Sequence, residues 1–515
     1  LWTLLPSAAF AEDGGLAPAC QCTAACTPDA LNPDCPVCGA PGARPEDCAQ
    51  AASPAQLAAE EDAAAEDDAA PAETADAAAE EAAVSPVTGG EAAAPLAAGD
   101  AHAHCYCGGA LNVGDHGDGD DKSYPHETGS YQAWNGTGEI VYKDDIAAVY
   151  LSDNATLSGD LKVSGGKRLF LCLNGKTLTL SNPSRIIVEG GSHLVICDCA
   201  DGGKIVGITN TTTNDPGGSV FLSGSSTMWM FGGTITGGRV KYGGGVALND
   251  ANCELILYGG SISGNSATVK GGGVYCKSGG SISIANGEIS NNKASVKNHN
   301  AFGGGICFEN GGLLMMGGGR IGSNLSRMGG GGVCFENGGG LALYGGSIAD
   351  NTAGDSFGRV NGILSSASLG GGVYFKTSGT VSIKGGSISG NTAGHGGGLY
   401  ISGDNSTLQL LSGSITGNSA IMSEGGSGGG AYLLGTSSVF ISGGEISNNT
   451  VKSSNSYGVG LRLDKYSTVE MRGGEIKNNN TNYVKSSGGG IAFYGGGALA
   501  LSGGKITNNM TTQHG

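Results

Sequence analysis

Two carboxylates are the first residues whose spacing suggests chemistry. Glu309 and Glu336 each follow a Cys-Phe pair, 27 positions apart. Stacked on neighbouring coils about 5 Å apart, they would sit near the carboxyl separation used by retaining glycosidases. The same column reads Lys277, Glu309, Glu336, Lys376, so each acid also has a basic neighbour at hand. A ladder of compensating charges is therefore the preferred reading over catalysis. A second group gathers His102, His104, Cys105, Cys107, His116 and His126 beside Asp115, Asp118, Asp120 and Asp121, which supplies the ligand types of a zinc or calcium site. Its spacing matches no closed motif. A disulfide-linked or loosely ordered loop is preferred, with His102, His104, Cys105 and Cys107 standing as metal candidates and no cofactor expected. Cys20, Cys22, Cys26, Cys35, Cys38 and Cys48 would form three disulfides, or a zinc site through Cys35-Pro-Val-Cys38. Six thiols allow fifteen pairings, and the sequence does not choose among them.

Composition limits what can position these residues. The chain has 515 residues with 99 Gly, only 6% aromatic and 14% charged; helices do not tolerate that much glycine. Without a collagen triplet, it implies many backbone corners of positive φ. Net charge is −18, but residues 12–100 hold 18 acids against one Arg, while residues 136–515 hold 22 acids against 25 Lys and Arg. The near-neutral body gives no support to a nucleic-acid partner, and no run of about 18 apolar residues spans a bilayer as a helix. Residues 1–11 read as the end of a secretory signal closing on Ala9-Phe10-Ala11, residues 12–48 as a Cys-rich segment, 49–100 as a disordered Ala/Glu/Asp spacer, and 101–135 as the His/Cys/Asp loop.

From about residue 232 the chain repeats Gly-Gly-x-Ile-x-x-Asn. The Ile stands at 235, 262, 289, 321, 348, 388, 415, 446, 476 and 506, and nine of the ten units carry Asn: Asn265, Asn292, Asn324, Asn351, Asn391, Asn418, Asn449, Asn479 and Asn509. Between them stand Gly-Gly-Gly followed by a short apolar strand, as in GGGVYC at 271, and a strictly alternating segment, as at Val381 and Ile383. Three short strands between Gly and Asn corners, recurring most often every 27 to 30 residues, describe one coil of a solenoid. The expected fold is all-β, a right-handed parallel β-helix of about three strands per coil over 136–515, with 136–165 as an irregular cap. The Asn column is expected to be structural, its amides bonding from coil to coil and its backbone left-handed at the corners. The chain stops where another Gly-rich strand should begin, which implies a piece of a longer protein.

Alternation points Val274, Cys276, Ile306 and Phe308 inward. It sends Tyr275, Cys307, Cys334, Tyr374, Tyr400 and Tyr432 outward, as a stripe of rings with two thiols in the middle, close enough for a disulfide. Tyr275, Tyr374, Tyr400 and Tyr432 are the ligand-binding candidates, since aromatic faces stack on sugars and on partner side chains. A plain packing stripe is the preferred reading of the same residues.

With GGSISGN, GGGVY and their copies in view, residues 136–515 resemble the β-helix repeat proteins related to pectate lyases. The likeness is strongest to the repeats of polymorphic outer-membrane proteins and similar bacterial surface adhesins, with Ile where those repeats often carry Phe. CPVCGA at 35, HCYCGG at 104 and LCLNGKTL at 171 are similar to large exported β-helix proteins of intestinal Gram-positive bacteria, which implies display at the cell surface. Gly394-His395-Gly396 resembles the Gly-His-Gly of polygalacturonases, but the companion Asn-Thr-Asp and Asp-Asp elements are absent, so His395 reads as a corner residue. The expected function is a noncatalytic secreted or cell-surface adhesin that binds glycan or protein through an exposed strand face. The alternatives are a polysaccharide lyase or glycoside hydrolase centred on Glu309 and Glu336, or a spacer for a further domain.

Overall fold

The computed structural model describes residues 103–105, 128–212, 217–294, 300–354, 364 and 368–512. The expected signal segment, Cys-rich segment and acidic spacer lie outside these residues, as do His102, Cys107, His116 and His126. His104 and Cys105 belong to a short strand, Ala103–Cys105, paired antiparallel with Thr128–Ser130.

The described residues after that hairpin form a parallel β-solenoid. Its strands form four ladders of 14, 13, 12 and 9 strands, in which each strand bonds the equivalent strand of the coil before and after. One coil runs Glu254–Leu257, Ser261–Ser263, Ser266–Lys270 and Val274–Cys276 through the four ladders, and Ser281–Ile284 then returns to the first. The fourth ladder exceeds the expected three strands per coil. Its members shrink to pairs such as Lys293–Ala294 and Leu325–Ser326, too short for alternation to show in the sequence. Winding also begins earlier than expected. Gln132–Trp134 already pairs with Val149–Leu151, and Ile146–Leu151, Ala155–Leu157 and Leu161–Val163 place a regular coil where an irregular cap was expected.

The repeat spacing translates directly into register. Ile235 pairs with Ile262, Ile262 with Ile289, and so on to Ile476 with Ile506. The column from Ile235 to Ile476 is fully buried, each side chain contributing about 1.5–3 kcal/mol of apolar transfer. Phe308, Phe335 and Phe375 stack in a neighbouring core column, with ring centroids 4.7 and 4.3 Å apart.

The asparagines lock this register. Each Nδ2 donates downward to the carbonyl of the Ile in the preceding coil at 2.8–3.0 Å and, in all but the last of them, Asn509, upward to the Oδ1 of the next asparagine at 2.9–3.1 Å. The backbone N–H of each also donates to that same Oδ1, at 2.9–3.1 Å. Both amide hydrogens and the carbonyl oxygen are thus spent, and one side chain ties three coils together. The left-handed residue is not the ladder asparagine, as expected, but its predecessor: Gly264, Asn291, Ser323, Asp350, Gly390, Gly417, Asn448, Asn478 and Asn508 all have positive φ. The corner turns one position early, so that the next amide points into the coil.

The glycine triplet answers the same ladder. At Gly330-Gly331-Gly332 the first has φ +63°, a Cβ on the second would lie 2.4 Å from the Gly371 carbonyl oxygen, and one on the third 3.0 Å from the Asn351 amide. Only glycine lets the backbone approach so closely. Replacing Asn351 with Ala or Asp should lower the unfolding free energy by about 2–4 kcal/mol, because buried partners lose their donors. Denaturant titration, with hydrogen exchange at Ile321 and Ile348 as the local readout, checks this.

Candidate functional site

The chain between the ladder asparagine and the glycine triplet determines what happens to the Tyr and Cys column. That segment carries one residue per coil, Lys270, Phe302, Gly329, Leu369, His395 and Ser427, in a file of parallel bridges. The positive-φ glycine then turns the chain into the strand bearing the outward residue, so the file lies over the column instead of beside it. Tyr275, Cys307, Cys334, Tyr374, Tyr400 and Tyr432 consequently form a second buried cluster, only 0–6% exposed, packed with Tyr242, Phe302, Leu369 and Leu434. The expectation of an open aromatic stripe is corrected: these rings are too covered to stack on a sugar. Tyr400 and Tyr432 meet edge-on at 4.9 Å, and Phe302 lies over Tyr374 at 6.1 Å.

Where the column changes from rings to thiols, the charges gather. Cys307 pairs with Cys334, and Glu309 and Glu336 follow on the same two strands. The cation between the acids is Lys270, whose Nζ lies 3.2 Å from Glu309 Oε1 and 3.0 Å from Glu336 Oε2. Lys376 is more distant, 4.0 Å from Glu336, while Lys277 turns to Asn249 Oδ1 at 3.4 Å. Of the expected ladder, the Lys376–Glu336 contact is present at its longest reach, and the nearer counter-charge is a lysine from the covering file. The sequence concealed it because Lys270 precedes the strand and belongs to a segment of variable length. Tyr275 donates its hydroxyl proton to Glu309. Burial first, and then Glu309, hold the Tyr275 pKa above the ordinary tyrosine value. For Lys270, burial would lower the pKa, but the Glu336 hydrogen bond and the surrounding negative charges outweigh it and the pKa is raised. Cys307 and Cys334 are thiols, not a disulfide; burial and the neighbouring Cys307 push the Cys334 pKa up. Glu336, with 7% of its side chain exposed, is closed to a polysaccharide unless Lys270 moves.

A second polar centre closes the column four coils beyond Glu336. Arg462 grips Asp464 through Nε and one terminal nitrogen at 2.9 and 3.2 Å and donates to Ser427 Oγ at 2.8 Å. Its guanidinium lies over the rings of Tyr432, Tyr494 and Tyr457 at 4.4, 5.0 and 5.5 Å, and Tyr432 donates to Asp464 at 2.8 Å. His395 packs edge-on to Tyr432 at 5.8 Å, and its Nδ1 makes no hydrogen bond among the described residues. A third group, also unforeseen, joins Cys172 and Cys199 with sulfurs 3.4 Å apart, and Tyr131 lies 3.7 Å from the sulfur of Cys197.

One surface that remains open is the outer face of the 14-stranded ladder. Its central outward column reads Trp229, Ile256, Ser283, Met315, Ala342, Ser382, Gln409, Phe440 and Glu470. His193 stacks on Trp229 at 5.3 Å and Phe231 on Tyr258 at 5.0 Å. Leu313, Tyr344, Leu411 and Phe440 are 38–42% exposed on or beside it, and Lys384 lies over the Tyr344 ring at 5.0 Å. The sequence signal was the same period-2 alternation that pointed to the other face; what it lacked was any sign of which face the chain covers.

No protein-family model, curated protein or solved structure matches this chain. No described helix is long and apolar enough to cross a membrane.

Two outcomes follow from the buried charges. Lys270→Met strands Glu336 without its main partner and should cost about 3 kcal/mol; adding Glu336→Gln should recover most of the loss in denaturant titrations. Burial, helped by Arg462 and opposed by Asp464, lowers the His395 pKa from 6.5 to about 4. Between these values the unfolded chain binds the proton and the native state does not, so stability falls as pH drops from 6.5 towards 4. His395→Gln should remove up to about 3 kcal/mol of that fall, measured as the wild-type-minus-variant difference in unfolding free energy across the window.

Proposed function

We propose that this protein is a noncatalytic, secreted or cell-surface β-solenoid of right-handed winding, which binds glycan or protein through the outer face of its 14-stranded ladder. The observation carrying this reading is the file of half-exposed apolar and aromatic side chains on that face, from Trp229 through Tyr258 and Tyr344 to Phe440. A parallel ladder repeats its side-chain spacing at every coil, and rings held at such a spacing suit the apolar faces of a linear polysaccharide, each stacked ring adding a modest increment. The right-handed winding follows the near-universal hand of parallel crossover connections. The resemblance to exported β-helix repeats supports the placement at the cell surface. The enzyme reading draws no support from the site: both carboxylates are engaged by Lys270.

Binding of immobilised pectin, mucin and plant or bacterial wall polysaccharides, measured by affinity electrophoresis, tests the proposal. Trp229→Ala, Tyr258→Ala and Tyr344→Ala should each weaken retention about threefold to tenfold, while Tyr374→Phe, inside the covered column, should leave it unchanged. New reducing ends or unsaturated products from wild type that vanish in Glu309→Gln would overturn the noncatalytic reading.

A further inference from the structure

The chain carries the sequence Cys-Phe-Glu-Asn-Gly-Gly twice, at 307–312 and at 334–339, and the two copies stand side by side. Cys307 pairs with Cys334, Phe308 with Phe335 and Asn310 with Asn337. In the coils around these two the outward residue is Tyr275, Tyr374, Tyr400 or Tyr432, and the position two further on is Lys277, Lys376, Ser402 or Leu434. Sulfur and carboxylate therefore appear together, on adjacent coils, in a two-by-two grid. The ligand atoms of Cys307, Cys334 and Glu336 all lie within 4.8 Å of one another, and all three residues are buried. A positive charge already occupies the mouth of this grid, the Lys270 ammonium bound to both acids at 3.0 and 3.2 Å.

We propose that Cys307, Cys334 and Glu336, with Glu309 as the fourth ligand, form a binding site for a thiophilic divalent cation of the zinc class, which takes the place of the Lys270 ammonium. Two sulfurs and two carboxylate oxygens provide the donor number of a closed tetrahedral site, with bonds of about 2.3 Å to sulfur and about 2.0 Å to oxygen. The atoms of Cys307, Cys334 and Glu336 already lie within 4.8 Å of one another, and Glu309 joins them by leaving Lys270 and Tyr275, with the strand pairing kept. The paired sulfurs favour zinc, cadmium or cobalt over calcium or magnesium, which prefer oxygen alone. Uptake is balanced by release of the two thiol protons as the sulfurs become thiolates. Lys270 moves aside but stays near the resulting excess negative charge.

The test uses the full chain, reduced and stripped of metal, then titrated with zinc or cobalt ions and desalted. Wild type is expected to retain one equivalent of zinc more than the Cys307→Ser/Cys334→Ser variant. That difference separates this site from uptake by the Cys- and His-rich residues before 128. Cobalt should give sulfur-to-metal charge-transfer bands, with tetrahedral visible bands that the same double variant loses and Glu336→Gln weakens. Cys172→Ser/Cys199→Ser should keep both signals, which shows that thiol loss elsewhere does not mimic the effect. Circular dichroism of each variant confirms that the solenoid is folded. Equal zinc content in wild type and in the folded Cys307→Ser/Cys334→Ser variant, or cobalt bands unchanged by it, would overturn the proposal.

Discussion

Backbone donors and acceptors in a parallel solenoid find partners only in the coils immediately before and after, so every coil must repeat the path of its neighbour to within hydrogen-bond tolerance. The asparagine ladder is where this chain enforces that condition. A buried amide has no room for a missing partner, and each one here is satisfied only if the Ile carbonyl of the coil below and the amide of the coil above are both in place. The left-handed residue before it, the Gly-Gly-Gly that follows and the Ile column can all be understood as what that ladder requires: a corner that aims the amide inward, a backbone thin enough to pass over it, and a side chain that fills the space beneath.

The same requirement explains why the outward residues of one ladder are covered. A triplet that must begin with positive φ folds the preceding residues back over the strand that follows. Tyrosines in that place become packing, and a Glu pair in that place becomes an anion site that needs an internal cation. Lys270 supplies it at the thiol end, and Arg462 plays the corresponding part for Asp464 at the other. Buried ion pairs of this kind add little net stability but are costly to break, so they act on the local path of the covering segment more than on the strength of the fold.

The fold was legible because its signals are translational. Ile every 27 to 32 residues, with one interval of 40, and Asn three positions later survive as columns, and nothing but coil stacking gives nine such coincidences. The inward positions Val274, Ile306 and Phe308 followed from period-2 alternation and are buried. Alternation cannot tell a face open to solvent from a face covered by another part of the same coil, and so it places Tyr275, Tyr374, Tyr400 and Tyr432 outside. The role of Lys270 is hidden in the sequence for a different reason. The residues that cover the column sit in the stretch whose length changes most, so they form no column in an alignment of the repeats. Glu309 and Glu336 could be read as neighbours, but not the cation between them.

That stretch separates Asn324 from Gly330 by 6 positions, Asn292 from Gly303 by 11, and Asn351 from Gly370 by 19, while the register on either side is unchanged. Most of the variation in coil length is therefore gathered in a single seam; the stretch from the triplet to the next Ile differs by a single residue, as from Val373 to Ile388 and from Leu399 to Ile415. The architecture works like a ruled scale with blank margins: the graduations are invariant, and extra sequence accumulates at one side without disturbing them. A peptide spliced into that margin would be carried at a defined height along the winding, which makes the seam the natural place for such a scaffold to acquire new recognition loops while its core stays as it is.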